Sequence, residues 1–274
     1  MATMAQVVWL VVLGLMSLLL CAEAGWLGNQ GYHEQWVRAR GTWYGDPYGE
    51  GSSGELMLLT LLQQYCGTPI GPKIVAGSRS IYANGLGCGQ CYQIRCVDPS
   101  HGPKLCNSFG TQVVVTDFCP GGTYCSTGEN AFDMSGAAIN AMALPSREGQ
   151  LRNRGLYNLL YKRVPCRYRG TNIQFRVDNG SSAYWLSILI KYVGGPGDIG
   201  QVYIKMANWF AFQPMKHAWG ANWMMPSYDG KPFKGPMDIK IVSKLNRHSV
   251  VARGVIPGYF RPGTTYNSRV QMAF

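Results

Sequence analysis

Histidines, cysteines and serine motifs are the first places to look for chemistry in this sequence. The four histidines form no HExxH pair or other metal-binding spacing, and the chain has no GxSxG serine motif and no phosphate-binding loop. Cys88-Gly89-Gln90-Cys91 has the spacing of half a zinc site, but no histidine is placed to complete it. The sequence therefore predicts neither a metal site nor a cofactor, and it does not indicate a serine hydrolase.

The N-terminus carries an apolar run of fourteen residues, at positions 7–20. Ala22 and Ala24 follow it in the small-x-small pattern of a signal-peptide cleavage site. The run is too short to span a bilayer comfortably, and no other stretch approaches that length. We therefore expect a signal peptide at residues 1–24, an extracellular protein with no transmembrane segment, and no nucleic-acid partner.

The cysteine content agrees with secretion. Removal of the signal would take Cys21 and leave eight cysteines, an even number that indicates disulfides in an oxidising compartment. Seven of the eight lie between residues 66 and 125, and only Cys166 stands apart. The pairing cannot be deduced from the sequence alone, except that Cys119 and Cys125 enclose a short Pro-Gly-Gly loop and are expected to pair.

Positive charge is concentrated in the C-terminal part of the chain. Residues 171–274 hold 12 Lys and Arg against 4 Asp and Glu, so that they carry +8 of the net charge of +11. A basic surface of this kind attracts polyanions such as nucleic acid, acidic lipid and acidic polysaccharide, and secretion leaves an extracellular polyanion as the expected partner. The eight tryptophans agree with carbohydrate binding, because flat aromatic rings stack on the apolar faces of sugars.

These residues are expected to be positioned by β-strands. Glycine is abundant (35 residues) and only 14% of residues are charged, a composition that favours short strands and turns over a helical bundle. Polar and apolar residues alternate at 173–177, 186–192, 202–206 and 237–241, which predicts a β-sandwich without cysteines. Residues 91–97 and 112–117 are also strand-like. One helix is predicted at 133–144, with Asp133 or a serine as its N-cap and Pro145 as its end.

Five motifs resemble plant expansins in order and spacing across the mature chain. They are Thr42-Trp43-Tyr44-Gly45, Gly87-Cys88-Gly89-Gln90-Cys91-Tyr92, Val115-Thr116-Asp117, Phe132-Asp133-Met134-Ser135-Gly136 and Trp219-Gly220-Ala221-Asn222-Trp223. Three further segments resemble the β-expansin branch: Leu151-Arg152-Asn153-Arg154-Gly155-Leu156, Tyr192-Val193 before Gly197-Asp198-Ile199, and Val255-Ile256-Pro257. The ordered set is far more specific than any one motif.

The resemblance implies an all-β protein of two domains. A six-stranded double-psi β-barrel, similar to that of family 45 endoglucanases, would occupy residues 25–168. An immunoglobulin-like β-sandwich that binds cellulose would occupy residues 171–274. The implied activity is loosening of the cell wall without hydrolysis, by disruption of noncovalent contacts between cellulose and matrix glycans.

The resemblance also implies site residues and disulfides. The groove candidates are Thr42, Tyr44, Asp46, Asp117 and Asp133, and the polysaccharide-binding candidates are Trp43, Trp185 and Trp219. The implied disulfides are Cys91–Cys166 and Cys96–Cys106, and Cys66 and Cys88 either pair with each other or stay free. Asn179, in the only Asn-x-Ser/Thr sequon, is a predicted glycosylation site.

Three departures from the family pattern stand out. The chain reads Gly54-Glu55-Leu56-Met57-Leu58-Leu59-Thr60 where the family has a glycine-rich segment with a cysteine. The family's His-Phe-Asp is Ala131-Phe132-Asp133 here, without the polar partner of the aspartate. Asp46 stands where the related endoglucanases keep a catalytic carboxylate, but in a Gly- and Pro-rich stretch in which we do not expect it to be held in place.

Each candidate residue has a structural alternative. Asp133 would serve equally well as a helix cap, Asp117 as a turn residue, and the three tryptophans as core residues. Strand alternation favours exposure of Trp185, which shares a face with Ser187 and Lys191. For Trp219 only the resemblance favours exposure, since alternation would place it on the face of Trp223.

Two other functions remain open beside wall loosening. One is an endoglucanase or transglycosylase with Asp133 as acid and Asp46 as base; the other is a pure carbohydrate-binding or defence module similar to barwin-type barrels. The expected partners are cellulose and an acidic matrix polysaccharide such as glucuronoarabinoxylan. We expect a monomer in the cell wall.

Overall fold

The computed structural model describes residues 35–46, 72–121, 125 and 130–273. The predicted signal peptide at 1–24, Cys66 and the altered segment at 54–60 lie outside these residues. In the part of the chain that is described, no helix is long and apolar enough to cross a membrane.

Six strands close into a barrel in the first half of the chain. They are β1 (Val37–Tyr44), β2 (Ile74–Gly77), β3 (Cys91–Val97), β4 (Thr111–Phe118), β5 (Ala131–Ser135) and β6 (Tyr157–Val164), in the order β1-β5-β2-β4-β3-β6. Two of the pairs, β1 with β5 and β2 with β4, are parallel, and the others are antiparallel. Alternate residues point inward, so Ile94, Val113 and Phe132 are fully buried in one core.

Short helices join these strands: α1 (Arg79–Tyr82), a 3₁₀ turn (Ala83–Gly85), α2 (Gly136–Met142) and α3 (Glu148–Arg154). The helix predicted from residue 133 begins at Gly136, because Phe132 and Met134 alternate into the barrel core and keep 131–135 in a strand. Ser135 caps α2, since its Oγ accepts a hydrogen bond from the Ala138 N–H at 3.3 Å. The interpretation of Asp133 as the helix cap is therefore wrong.

The second half of the chain is a sandwich of two antiparallel sheets. The strands are β7 (Gln174–Val177), β8 (Trp185–Lys191), β9 (Gln201–Lys205), β10 (Gln213–Pro214), β11 (Lys216–His217), β12 (Asn222–Pro226), β13 (Met237–Val242), β14 (Ser249–Ile256) and β15 (Thr265–Asn267). Their orders are β10-β9-β13-β14 and β11-β12-β8-β7-β15. Phe175, Ile188 and Ile239 are fully buried between the sheets. The all-β fold class, a barrel followed by a sandwich, is confirmed.

Disulfides cross-link the barrel half. The structure pairs Cys91 with Cys166, Cys96 with Cys106 and Cys119 with Cys125, the same pairs that the sequence and the resemblance implied. Cys88 is also in a disulfide, whose partner lies outside the described residues, so the alternative in which Cys88 stays free does not hold. With these cysteines oxidised, the CxxC segment does not form a zinc site.

A buried ion pair joins the two folds. Arg163, near the end of β6, lies 3.3 Å from a carboxylate oxygen of Asp198, whose side chain is only 2% exposed. The Arg163 guanidinium also donates to the Pro196 carbonyl at 2.9 Å, and Ser243 Oγ donates to Asp198 at 2.6 Å. The two folds also meet where Gly85 approaches the Gly220 backbone so closely that a Cβ at residue 85 would lie 2.3 Å from the Gly220 oxygen.

We expect Arg163→Met to lower the free energy of unfolding by about 3 kcal/mol, because it leaves the Asp198 carboxylate buried without its cation. Urea unfolding of the whole chain measures the loss. Arg253→Met is the matched control: its pair with Asp238 spans 3.9 Å with the Arg253 side chain 81% exposed, and we expect a loss of no more than about 0.5 kcal/mol. Equal losses in the two variants would contradict a structural role for the buried pair.

Candidate functional site

A row of four paired residues crosses the outer face of the barrel. Thr42 of β1 pairs with Asp133 of β5, Asp133 pairs with Ala76 of β2, and Ala76 pairs with Asp117 of β4. Paired residues share a face of the sheet, and the inward Phe132 and Met134 show that this face is the outer one. With strands about 4.8 Å apart, the Cα atoms of Asp133 and Asp117 lie roughly 10 Å apart.

A β-bulge sets the position of Asp117. Val75 pairs with Val115, yet the next residue, Ala76, pairs with Asp117 rather than Thr116. The extra residue in β4 shifts the register by one and brings the Asp117 carboxyl into the row. Asp117 therefore belongs to the strand ladder, and its interpretation as a turn residue is wrong.

Asp133 is a half-buried carboxyl whose close side-chain partner, among the described residues, is Thr42. Thr42 Oγ1 donates a hydrogen bond to Asp133 Oδ1 at 2.6 Å. Burial raises the pKa of Asp133 above its ordinary value, and the Thr42 hydrogen bond, which favours the carboxylate, opposes part of that rise. Asp133 therefore holds its proton to a higher pH than an exposed aspartate and can donate it to an oxygen of a bound molecule.

Asp117 is perturbed in the same direction. Burial raises its pKa to about 6, although the Phe118 N–H, which donates to Asp117 Oδ1 at 2.7 Å, favours the ionised form. Both carboxyls of the row thus hold their protons to a higher pH than an exposed aspartate does.

The remaining groove candidates lie along β1 and β5. Tyr44 follows Thr42 on the same side of β1 and pairs with Ser135. The strand ends there, because Gly45 has a left-handed backbone (φ 79°), and Asp46 lies exposed beyond the last ladder pair. Ala131, in place of the family's histidine, is buried in a small cluster with Ala76 and the Cys119–Cys125 disulfide.

The three tryptophans lie in three different environments. Trp43 is half-buried against the barrel core, and its indole N–H donates to the Arg152 carbonyl at 3.1 Å. Trp219 is 40% exposed in the turn between β11 and β12, whereas Trp223 is 3% exposed and belongs to the sandwich core. The turn breaks the strand alternation that would have put these two side chains on one face.

Trp185 lies half-buried at the start of β8. The expectation that its strand face is open to solvent is wrong at Ser187, which is fully buried. Ser181 covers this position, with its Oγ accepting from the Ser187 N–H at 3.0 Å. Farther along the same face, Leu189 packs against Cys88 of the barrel.

Comparison with known proteins gives family matches for both halves of the chain. Residues 173–257 match the family described as "Expansin C-terminal domain", and residues 74–161 match the family described as "Lytic transglycolase". Expansin-B1 of Arabidopsis thaliana is 40% identical over 239 residues, which are 87% of this chain and 85% of that protein. The chain belongs to the expansin family. Expansin-B16 of Oryza sativa subsp. japonica is 39% identical over 239 residues, 87% of this chain and 84% of that protein, in agreement with the β-branch motifs.

Solved expansins share the architecture. An expansin of Clavibacter michiganensis, solved in complex with cellohexaose, has a TM-score of 0.59 at 21% identity, over 86% of this chain and 98% of that one. Its apo structure has a TM-score of 0.58 with the same coverage. This protein is therefore a wall-loosening expansin, a non-hydrolytic class, and its relatives are named expansins rather than glycosidases. The endoglucanase and defence-module alternatives are not favoured.

Sequence reasoning missed two parts of the site. Ala76 stands between the two carboxyls in the row, but the four-residue strand Ile74–Gly77 is apolar throughout and shows no alternation that would assign it a face. The Arg152 carbonyl holds Trp43, and a backbone acceptor leaves no signal in a sequence. The other members of the row, Thr42, Asp133 and Asp117, were named in advance through the family resemblance.

The raised pKa of Asp117 predicts a pH dependence of stability. The folded protein binds this proton more tightly than the unfolded chain, so the stabilisation is present at low pH and is lost as the pH rises from about 4 to about 6. Asp117→Asn removes this titration. Over that pH range we expect the free energy of unfolding of the parent to fall by about 1–2 kcal/mol relative to that of the variant. This is less than the full pKa shift would give, because Asp117 is partly exposed.

Thermal unfolding at a series of pH values measures this difference. Asp98→Asn is a control of opposite sign. Burial raises the pKa of Asp98, but hydrogen bonds from Arg154 and two backbone N–H groups have the larger combined effect, so that the pKa lies below its ordinary value. The parent should therefore gain stability relative to Asp98→Asn as the pH rises. If the difference in stability between the parent and Asp117→Asn stayed constant from pH 4 to 6, the raised pKa of Asp117 would be contradicted.

Proposed function

We propose that this expansin loosens the wall by holding cellulose on its tryptophans while the barrel groove takes hydrogen bonds from a matrix glycan, so that contacts between the two polymers separate without cleavage. The observation that carries the proposal is the row of half-buried Thr42, Asp133 and Asp117 on the outer face of the barrel, in a chain whose sandwich exposes Trp219. A glycan lying across the row meets hydroxyl and carboxyl donors in place of its partner polymer.

The protonation of the groove supports binding over cleavage. An inverting glycosidase needs one carboxylic acid and one ionised base, with carboxyl groups roughly 6.5–9.5 Å apart. Burial raises the pKa of both Asp133 and Asp117, that of Asp117 to about 6, and a raised pKa disfavours the ionised form that the base must have. Asp46 lies outside the ladder that fixes the other two. The raised pKa values therefore favour protonated carboxyls, which donate hydrogen bonds, in this row.

Cellulose binding is proposed for Trp43, Trp185 and Trp219. The Clavibacter michiganensis relative was solved with cellohexaose, a short glucan of the same kind. A glucan ribbon has apolar C–H faces and sideways hydroxyls, so an indole ring matches its face without requiring a particular hydrogen bond. The burial that each tryptophan gains on stacking is worth about 1–3 kcal/mol, least for Trp43, which is already packed on the barrel.

Acidic matrix polysaccharide, such as glucuronoarabinoxylan, is the proposed second partner. The +8 charge of residues 171–274 supplies long-range attraction to it. The disulfides fit an extracellular protein, and we propose secretion into the cell wall as a monomer. Asn179 lies exposed in the turn between β7 and β8, where glycosylation stays a prediction.

Wall extension without chain cleavage is the direct test. Isolated wall strips under constant load should extend when the protein is added at about pH 5, with no release of reducing ends. Asp133→Ala should slow extension by about tenfold, because it removes a groove donor and leaves Thr42 without its partner. Asp46→Asn should extend walls like the parent. Sustained sugar release that Asp46→Asn abolishes would establish the hydrolase instead.

Binding to pure cellulose tests the tryptophans. Trp185→Ala and Trp219→Ala should each weaken binding about fivefold to tenfold, and the loss should persist at high salt because stacking is not screened. Tyr259→Ala, at a 99% exposed aromatic outside the proposed surface, is the control and should bind like the parent. If the folded tryptophan variants bind as well as Tyr259→Ala, these side chains do not form the cellulose surface.

A further inference from the structure

A group of cations lies on the outer face of β1, β6 and β3, away from the groove row. Ala39, Ile94 and Leu159 of these strands point into the barrel core, so their sequence neighbours point outward. We call the outward set the basic face; it consists of Arg38, Arg40, Gln93, Arg95, Val97, Asn158, Leu160 and Lys162, with Trp36 at its edge. Four of these nine side chains are cations, and none is a carboxylate.

Strand pairing sets the spacing of the cations. Leu160 pairs with Arg38 on one side and with Arg95 on the other, so the two guanidinium groups flank an apolar side chain. In the next row Asn158 stands between Arg40 and Val97, and the Arg40 guanidinium donates to Asn158 Oδ1. The face therefore alternates charged, amide and apolar groups over a distance of about two strand spacings, roughly 10 Å.

Trp36 fixes one side of this surface. The Arg95 guanidinium lies 4.3 Å from the centre of its ring, and Lys162 Nζ lies 5.2 Å from it. Cation–π contacts of this kind hold both charges near one another despite their repulsion. In the part of the chain that is described, Arg38, Arg95 and Lys162 make no ion pair.

The basic face is concave where it approaches the groove. A cavity of about 660 Å³ is lined there by Arg38, Arg40, Val97, Asn130 and Asn158, together with Leu159 and Leu160. Along β1, Arg38, Arg40 and Thr42 follow one another on the same side at steps of about 6.6 Å. Thr42 is the residue that contacts Asp133, so the surface is continuous with the groove row.

We propose that the basic face binds the carboxylates of uronic-acid residues on a matrix glycan whose chain continues into the groove; this inference rests on the proposed function. Guanidinium groups match carboxylates in a bidentate geometry. Gln93, Asn130 and Asn158 supply partners for hydroxyls, and Leu160 and Val97 supply contact for the C–H face of a sugar ring. The face would therefore select acid-bearing glycans.

Two ligands that differ only in charge test the proposal. The first is soluble glucuronate-bearing xylan, and the second is the same xylan after chemical reduction of its carboxyl groups to alcohols. Arg38→Gln/Lys162→Gln should weaken binding of the acidic xylan about fivefold to tenfold at low salt, and the difference should shrink as salt screens the charges. Binding of the reduced xylan should be unchanged.

Lys234→Gln/Arg261→Gln is the matched control, since it removes the same charge from exposed positions of the sandwich. We expect this control to lose less than twofold in affinity for the acidic xylan. Equal losses in the two double variants, or a loss that persists on the reduced xylan, would overturn the inference. The inference would also be overturned if the protein bound phosphatidylserine vesicles through the basic face and did not bind acidic xylan, since the face would then be a membrane-binding surface.

Cellulose binding by the same variants separates this inference from the proposed function. Both double variants should bind pure cellulose as the parent does. A parent that neither binds cellulose nor extends walls refutes the proposed function. A parent that does both, with a basic-face variant that binds acidic xylan like the control, refutes only the inference.

Discussion

Closure of the barrel is the constraint on which the rest of this structure depends. A closed sheet gives every strand an inner and an outer face, and strand pairing forces outward residues into rows. The inner face is occupied by packed rings, with Phe132 and Tyr161 edge to face at 5.0 Å. Because those inward residues cannot move without loss of the core, Thr42, Asp133 and Asp117 have no freedom to leave their row.

Desolvation acts with different results on the carboxyls of this protein. Asp198 is almost wholly buried, and Arg163 and Ser243 compensate it, so that it contributes to the contact between the domains. Asp133 and Asp117 are half-buried, and among the described residues each has a single side-chain hydrogen bond and no cation beside it, so burial raises the pKa of each. The first arrangement holds a charge in place, whereas the second keeps a proton available to a ligand.

Strand β1 connects the separate parts of the molecule. Its inward residues pack in the barrel core, and its outward residues run from the basic face through Thr42 to Tyr44. On one side it pairs with β5, which carries Asp133, and on the other with β6, which ends at the ion pair with the sandwich. Because Ala131 stands where the family has a histidine, Asp133 relies on β1 for its side-chain contact: within the described residues its side-chain partner is Thr42.

The sequence by itself determined the fold class, the family and the positions of six of the fifteen described strands, since alternation and ordered motifs are local signals. The strands predicted at 91–97, 112–117, 173–177, 186–192, 202–206 and 237–241 agree with the structure to within one residue at each end.

Local signals failed where tertiary contacts overrode them. Asp133 has the sequence context of a helix cap, yet pairing with β1 and β2 keeps it in a strand, and the bulge that brings Asp117 opposite Ala76 exists only between partners. Ser187 reads as exposed and is buried by Ser181, and the cations of the basic face are scattered in sequence until β1, β6 and β3 are paired. Register and burial are properties of neighbouring strands, and no single segment encodes them.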